Sequence, residues 1–160
     1  MQCDSCDIKN LIYRYADHID RGKLDDLAAL FSGGRLLAVT GDGAVTEIAG
    51  EQAILQMYKS FTRLYDDNGT PHTKHVTTNV MVDVAADGAT ATAQSYAVVF
   101  QAVDDFPLQP IIGVRYYDTF ANDTFANDTF AKDTGGWRFT ERKIESHLFG
   151  DLSRHLLQPV

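Results

Sequence analysis

The sequence predicts an α+β domain, and three observations lead there. Apolar residues recur at helical spacing up to residue 64. From residue 75 onward they alternate as in strands. The chain is also the right size for one core: its 160 residues make about one domain, able to bury roughly two thirds of its unfolded surface. A single domain over residues 1–160 is expected, with three N-terminal helices covering one face of a long antiparallel meander.

The elements follow in order. Ile8, Leu11, Ile12, Tyr15 and Ile19 form one stripe, which predicts a helix over residues 7–20. Gly22 is a natural stop, and "KLDDLAALF" (23–31) resumes with Leu24, Leu27, Ala28 and Phe31 on one side. The glycines around Gly41-Asp42-Gly43 predict a brief hairpin. Glu51 to Leu64 is helical again, with Ile54, Leu55, Tyr58 and Phe61 inward. A strand runs from His75 to Val84, with Val76, Val80, Val82 and Val84 on one face and His75, Asn79 and Met81 on the other. A second spans Thr90 to Val103, where Tyr96, Val98 and Phe100 share a face. "DDFPLQP" connects it to a third, Ile111 to Phe120, and "GGWRFTERKIESHLF" is the last.

One segment breaks this order. "DTFANDTFANDTFAKDT" (118–134) repeats a five-residue unit, so Phe120, Phe125 and Phe130 would alternate faces along a strand. A duplicated insertion lengthening a hairpin loop over 121–134 is the simpler account, because added loop length costs little closure entropy. A lid that uses its phenylalanines is the alternative.

Composition excludes several classes. The formal charge of -8, with Lys and Arg scattered, argues against a nucleic-acid partner. No stretch approaches the roughly 18 apolar residues of a membrane span, and no basic-then-apolar leader opens the chain. A soluble, cytoplasmic protein is expected. Both cysteines lie in "CDSC" as Cys3 and Cys6; a closed zinc site wants four ligands, and no second pair supplies them.

The stretch "LIYRYADHID" (11–20) places polar groups on an otherwise amphipathic helix. Asp20 stands in the last turn, where the helix dipole disfavours a carboxylate, so another partner must hold it. Asp17 and His18 fall off the apolar stripe and read as surface. His75 opens a strand, and histidine is the side chain that exchanges a proton near neutral pH. A carboxylate on one ring nitrogen would fix its tautomer and raise its basicity. Asp20 and His75 are therefore a candidate general-base dyad, with Tyr15 as hydroxyl donor to an oxygen gaining charge. His72, His75 and Asp20 could alternatively ligate a metal, a weaker signal. His147 and His155 have no ligand spacing. No phosphate-binding loop or GxSxG elbow is present.

These residues and the element order resemble the SnoaL-like members of the nuclear transport factor two-like superfamily. The resemblance runs from "IKNLIYRYADHIDRGKLDDLAALF" through "KHVTTNVMVDV" to "YYDTF" and "GGWRFTERKI". Nearest in motif are scytalone dehydratase, bile-acid 7-alpha-dehydratase and hexachlorocyclohexane dehydrochlorinase. It implies three helices packed on a strongly curved, mixed or antiparallel sheet around a cone-shaped cavity, a cystatin-like roll. In these relatives an aspartate ending the first helix orients a histidine on the first long strand; the matching residues are Asp20 and His75, and Tyr15 matches a tyrosine of the bile-acid enzyme. That enzyme's final-strand arginine falls near Ser146 here.

The expected function is a cofactor-independent, dehydratase-like lyase acting on a small hydrophobic or polycyclic hydroxylated ketone. The alternatives are a ketosteroid-isomerase-like or polyketide-cyclase-like isomerase, and a non-catalytic binding or assembly domain. Tyr58, Asn79, Met81, Tyr96 and Phe100 are expected to line the substrate site. Neither a metal nor a cofactor is called for, and a homo-oligomer, dimer or trimer, is expected.

Overall fold

The stripe centred on Leu11 and Tyr15 forms helix α1, Asp4–Asp20, whose buried face is Ile8, Leu11, Ile12, Tyr15, Ala16 and Ile19. In the computed structural model, which describes residues 3–123 and 134–159, α1 begins three residues before its predicted start. Cys3 and Cys6 are bonded to each other across its first turn. Asp4 accepts a hydrogen bond from Trp137 Nε1 at 3.1 Å, tying the helix start to the last strand. Helix α2 (Leu24–Ala29) and helix α3 (Glu51–Phe61) follow. The latter ends three residues early because Thr62 turns extended and bridges to Leu156.

Six strands form one sheet: β1 (Arg35–Val39), β2 (Val45–Ala49), β3 (Thr73–Val84), β4 (Thr90–Val103), β5 (Phe106–Asn122) and β6 (Trp137–Phe149), in the order β2-β1-β6-β5-β4-β3. β1 runs parallel to β6 and every other pair is antiparallel, so the sheet is mixed. The helices and the inner sheet face enclose one main core of aliphatic and aromatic side chains.

Three sequence expectations need correction. "DDFPLQP" is not a loop: β4 turns into β5 at Asp104-Asp105, where Asp105 has φ 63°, the left-handed backbone a tight hairpin needs. Pro107 and Pro110 are tolerated because this end of β5 extends past its last pairing with β6, at Ile112. The second correction concerns β3. Its register slips between Thr78 and Met81, and Asn79 has φ 52°; the added residue is a β-bulge that reverses the alternation. Thr73, His75 and Thr77 face the helices before it, and Val80, Val82 and Val84 after it, whereas Val76, Asn79 and Met81 lie on the outer face. Third, β4 turns Ala91, Ala93, Ser95, Ala97, Val99 and Gln101 inward. Small residues there leave room for rings from α1 and β5, so Tyr96 lies outside, against Arg115.

The repeat-bearing loop expected over 121–134 falls, for residues 124–133, outside the described residues. Among the described residues, no helix is long and apolar enough to cross a membrane.

Gly22, just beyond α1, has φ 69°, and a Cβ there would sit 2.1 Å from the Gly69 carbonyl oxygen. Only glycine allows this crossing, which fixes the end of α1 against the loop before β3. Gly22→Ala is expected to lose about 2 kcal/mol or more, read as a lower urea midpoint at unchanged slope.

Candidate functional site

The end of α1 and the start of β3 meet at Asp20. Its carboxylate accepts three hydrogen bonds: from Thr73 Oγ1 at 2.7 Å, from the His75 backbone N–H at 2.8 Å, and from His75 Nδ1 at 2.7 Å. The Asp20 and His75 side chains are only 9% and 6% exposed. Burial alone would push the Asp20 carboxyl up, but the hydrogen bonds and charge from His75 and the bond from Thr73 outweigh it, so its pKa falls below the usual value. An ionised carboxylate only accepts, so Nδ1 donates to it, and in a neutral ring the lone pair is then on Nε2. A neutral histidine held in this way can accept a proton at Nε2.

Beside the pair lies an open cleft of about 740 Å³, lined by Asp20, Thr73, His75, Phe100, Gln101 and Tyr13 among others. His72 is not available as a third ligand: its Nε2 bonds Asp67 at 2.9 Å and its ring packs edge-on against Tyr65. Among the described residues, no group of three or more His, Cys, Asp or Glu side chains could hold a metal ion.

Tyr15 points into the core, not along the cleft wall. Its hydroxyl meets that of Tyr58 at 2.6 Å, and its ring packs edge-on against Phe31, Tyr58 and Tyr116. Burial pushes the Tyr58 and Tyr116 phenols well above their ordinary pKa, so both remain protonated. Of the residues expected to line a substrate site, Tyr58 belongs to this interior cluster and Phe100 to the cleft. Asn79, Met81 and Tyr96 face outward, with Met81 59% exposed; the bulge at Asn79 moves the first two, and the small-residue inner face of β4 moves the third.

The sequence reading missed two buried groups. Arg142 is fully buried and makes two 2.8 Å hydrogen bonds to Asp118. Its guanidinium lies 4.2 Å from the Tyr15 ring centre and 4.1 Å from that of Tyr116, while Nη1 has no hydrogen-bond partner. On the last strand Arg142 reaches the interior. A second bulge explains the miss. Between Phe139 and Glu141 the β6 register slips at Thr140, so the inward sequence runs Trp137, Phe139, Arg142. The legible signal was Asp118, in phase with buried Val114, Tyr116 and Phe120, since a carboxylate on an apolar face needs a cation.

The other missed group is His155. It is 7% exposed and its Nδ1 has no hydrogen-bond partner. Burial, with a smaller contribution from His75, lowers its pKa from 6.5 to about 4. The unfolded chain therefore binds a proton between these values that the folded chain does not, so stability rises with pH across that window and is lost as pH falls through it. His155 contributes about 3 kcal/mol to this loss. The depressed Asp20 carboxyl adds a further loss only at lower pH, as it too becomes protonated. Melting curves at pH 7 and pH 4.5 test the first part: His155→Phe is expected to show a smaller difference between the two than the native chain.

Comparison with known proteins bears on the fold. An NTF2-like protein with a cystatin-like fold from Novosphingobium aromaticivorans superposes with a TM-score of 0.68 at 22% identity, covering 94% of this chain and 86% of its own. A protein of the same organism, provisionally named a scytalone dehydratase, gives 0.61 at 21% identity over 90% and 84%. The beta subunit of a provisionally named aromatic-ring-hydroxylating dioxygenase, again from that organism, gives 0.66 at 15% identity over 94% of each chain. No curated protein matches the chain. The SnoaL-like domain matches residues 3–143. With that match spanning most of the sequence, the chain belongs to the SnoaL-like domain family.

Proposed function

We propose that this chain is a cofactor-independent lyase that removes water from a hydroxylated ring ketone, with His75 as the base. The observation that carries the reading is the 2.7 Å contact between Asp20 and His75 Nδ1, buried at the wall of a cleft large enough for a bicyclic molecule. The His75 Nε2 lone pair takes a proton from the carbon next to the carbonyl. Asp20 stabilises the imidazolium so formed, and the electron pair moves onto the carbonyl oxygen as an enolate. When the enolate collapses, the bond to the β-hydroxyl breaks. The captured proton goes to the departing hydroxide, so the products are an unsaturated ketone and water.

The buried phenols and Arg142 are in the core and not on the cleft wall, so they would serve the enolate only of a substrate whose oxygen enters the interior past His75. They are donors held in a low-dielectric interior, where a developing negative charge is stabilised without reorganisation. Arg142 Nη1 and Ser95 Oγ, both buried and without a partner, are groups that a substrate oxygen would satisfy.

The test uses 1-tetralone in deuterated buffer, followed by NMR. A working base exchanges its α-protons for deuterium whether or not any leaving group is present. Offered 3-hydroxy-1-tetralone, a lyase releases 1-naphthol, whereas an isomerase exchanges without elimination. The absence of enzyme-dependent exchange would remove the base from the reading.

A further inference from the structure

The first turn of α1 holds the bonded pair Cys3 and Cys6, and the backbone sets where the two sulfurs stand. The Cys3 carbonyl accepts from the N–H groups of Cys6 at 2.8 Å and Asp7 at 3.0 Å. These bonds go with a Cα–Cα distance of 5.2 Å, inside the roughly 4.4–6.8 Å that a disulfide spans. The same turn is anchored without the sulfurs. Asp4 accepts from Trp137 Nε1 at 3.1 Å, and Ile8 and Leu11 are fully buried. Opening the sulfur bond therefore leaves both cysteines in place, ready to close again. The bridge has a sequence separation of only three, so it constrains the unfolded chain little and adds little to stability.

Both residues are exposed, so an incoming sulfur can reach them, and exchange proceeds by attack of a thiolate on a disulfide sulfur. The two cysteines are not equivalent. Cys3 is the N-cap residue, with an extended backbone and no hydrogen bond from its side chain to the turn. An acceptor at that position meets free N–H groups of the first turn and the positive end of the helix dipole. The Ser5 hydroxyl lies 3.6 Å from Cys3 Sγ and can donate to a thiolate there. Asp4 and Asp7, the carboxylates of the same turn, act against a thiolate on either sulfur. The difference between the two thiols rests on the cap position and Ser5.

We propose that Cys3 and Cys6 are a thiol–disulfide exchange site, passing two electrons to and from glutathione-type thiols, with Cys3 as the attacking sulfur. In the oxidising direction the Cys3 thiolate attacks one sulfur of a small disulfide RSSR, forming Cys3–S–S–R and releasing RS⁻. The Cys6 thiolate then attacks the Cys3 sulfur, closes the bridge and releases the second RS⁻. Two thiols of the chain are oxidised and one small disulfide is reduced. The protons lost by Cys3 and Cys6 end on the two released thiolates. Excess RSH runs the same steps backwards. The pair stands at the opposite end of α1 from Asp20, and it does not depend on the reading of the cleft.

The test equilibrates the full chain at neutral pH with glutathione, from excess reduced to excess oxidised, followed by acid quenching, alkylation and mass spectrometry. A reversible passage between bridged and dithiol forms is expected, with the same circular dichroism at both ends. A bridge that stays closed in excess reduced glutathione, as structural disulfides do, overturns the proposal. So does a pair that stays open in excess oxidised glutathione, or a fold lost on reduction. Cys6→Ser and Cys3→Ser, each with a single thiol, locate the attacking sulfur. Cys6→Ser is expected to form its mixed disulfide with oxidised glutathione at least about threefold faster than Cys3→Ser. That figure is roughly tenfold more thiolate, offset by the lower nucleophilicity of a more stable thiolate. Equal rates, or a faster Cys6, overturn Cys3 as the attacking sulfur.

Discussion

His75→Ala is expected to exchange the α-protons of 1-tetralone at least about a hundredfold more slowly than the native chain, the usual contribution of a positioned base. The fold should survive, because the His75 side chain makes its hydrogen bond to Asp20 while the strand is held by backbone pairing with Val99. Asp20→Asn is the more telling change. An amide keeps the shape, but Thr73 and Nδ1 share one carboxylate oxygen while the His75 backbone N–H uses the other; with the amide oxygen kept on the backbone N–H, the NH₂ takes the shared position and donates to Nδ1. That would place the histidine proton on Nε2 and remove the lone pair from the side that must take a proton. A loss of about 10²–10⁴ is expected, with little change in melting temperature at pH 7. Full exchange activity in either variant would end the case for the dyad. A variant that is inactive only because it is unfolded would be exposed by its circular dichroism.

The largest stability effect is expected at Arg142. Arg142→Met leaves the Asp118 carboxyl buried, fully enclosed and without its two hydrogen bonds. Removing one partner of such a pair costs about 3–5 kcal/mol. The double variant Arg142→Met/Asp118→Leu removes both charges and should be the more stable of the two, because no uncompensated charge remains. Urea unfolding of the native chain, both single variants and the double variant closes the cycle. If the double variant loses the sum of the two single losses, the residues are not coupled and the pair has another role.

How much of this was legible in the sequence depended on local regularity. Helix α1 and the pairing of Asp20 with His75 were legible because the apolar stripe is regular up to Asp20 and the histidine opens the strand before any irregularity. What followed was obscured wherever a strand carries one extra residue. Strict alternation from His75 puts Asn79 on the same face, and strict alternation from Trp137 puts Glu141 inward; in both strands the register slip reverses the answer. Residue size misled in β4, where the inner face is built from alanine and serine because the rings that fill the space come from other elements. His155 had no periodic signal at all. Its burial arises from a tail crossing the sheet end, held by hydrogen bonds whose partners are 53 to 98 residues away.

The extra residue in β3 also bears on how such a chain can vary by descent. It separates the stretch Thr73 to Thr77, which carries the hydrogen bonds to Asp20, from an aliphatic stretch, Val80 to Val84, which packs against the core. Because the two are out of phase, substitutions in the second stretch can resize the core without turning His75. Loss of a single codon at position 79 would instead exchange inside for outside along half the strand. Side-chain change here is therefore cheap and length change is not, so inherited variation should accumulate as substitutions around a fixed count of residues between His75 and Val84.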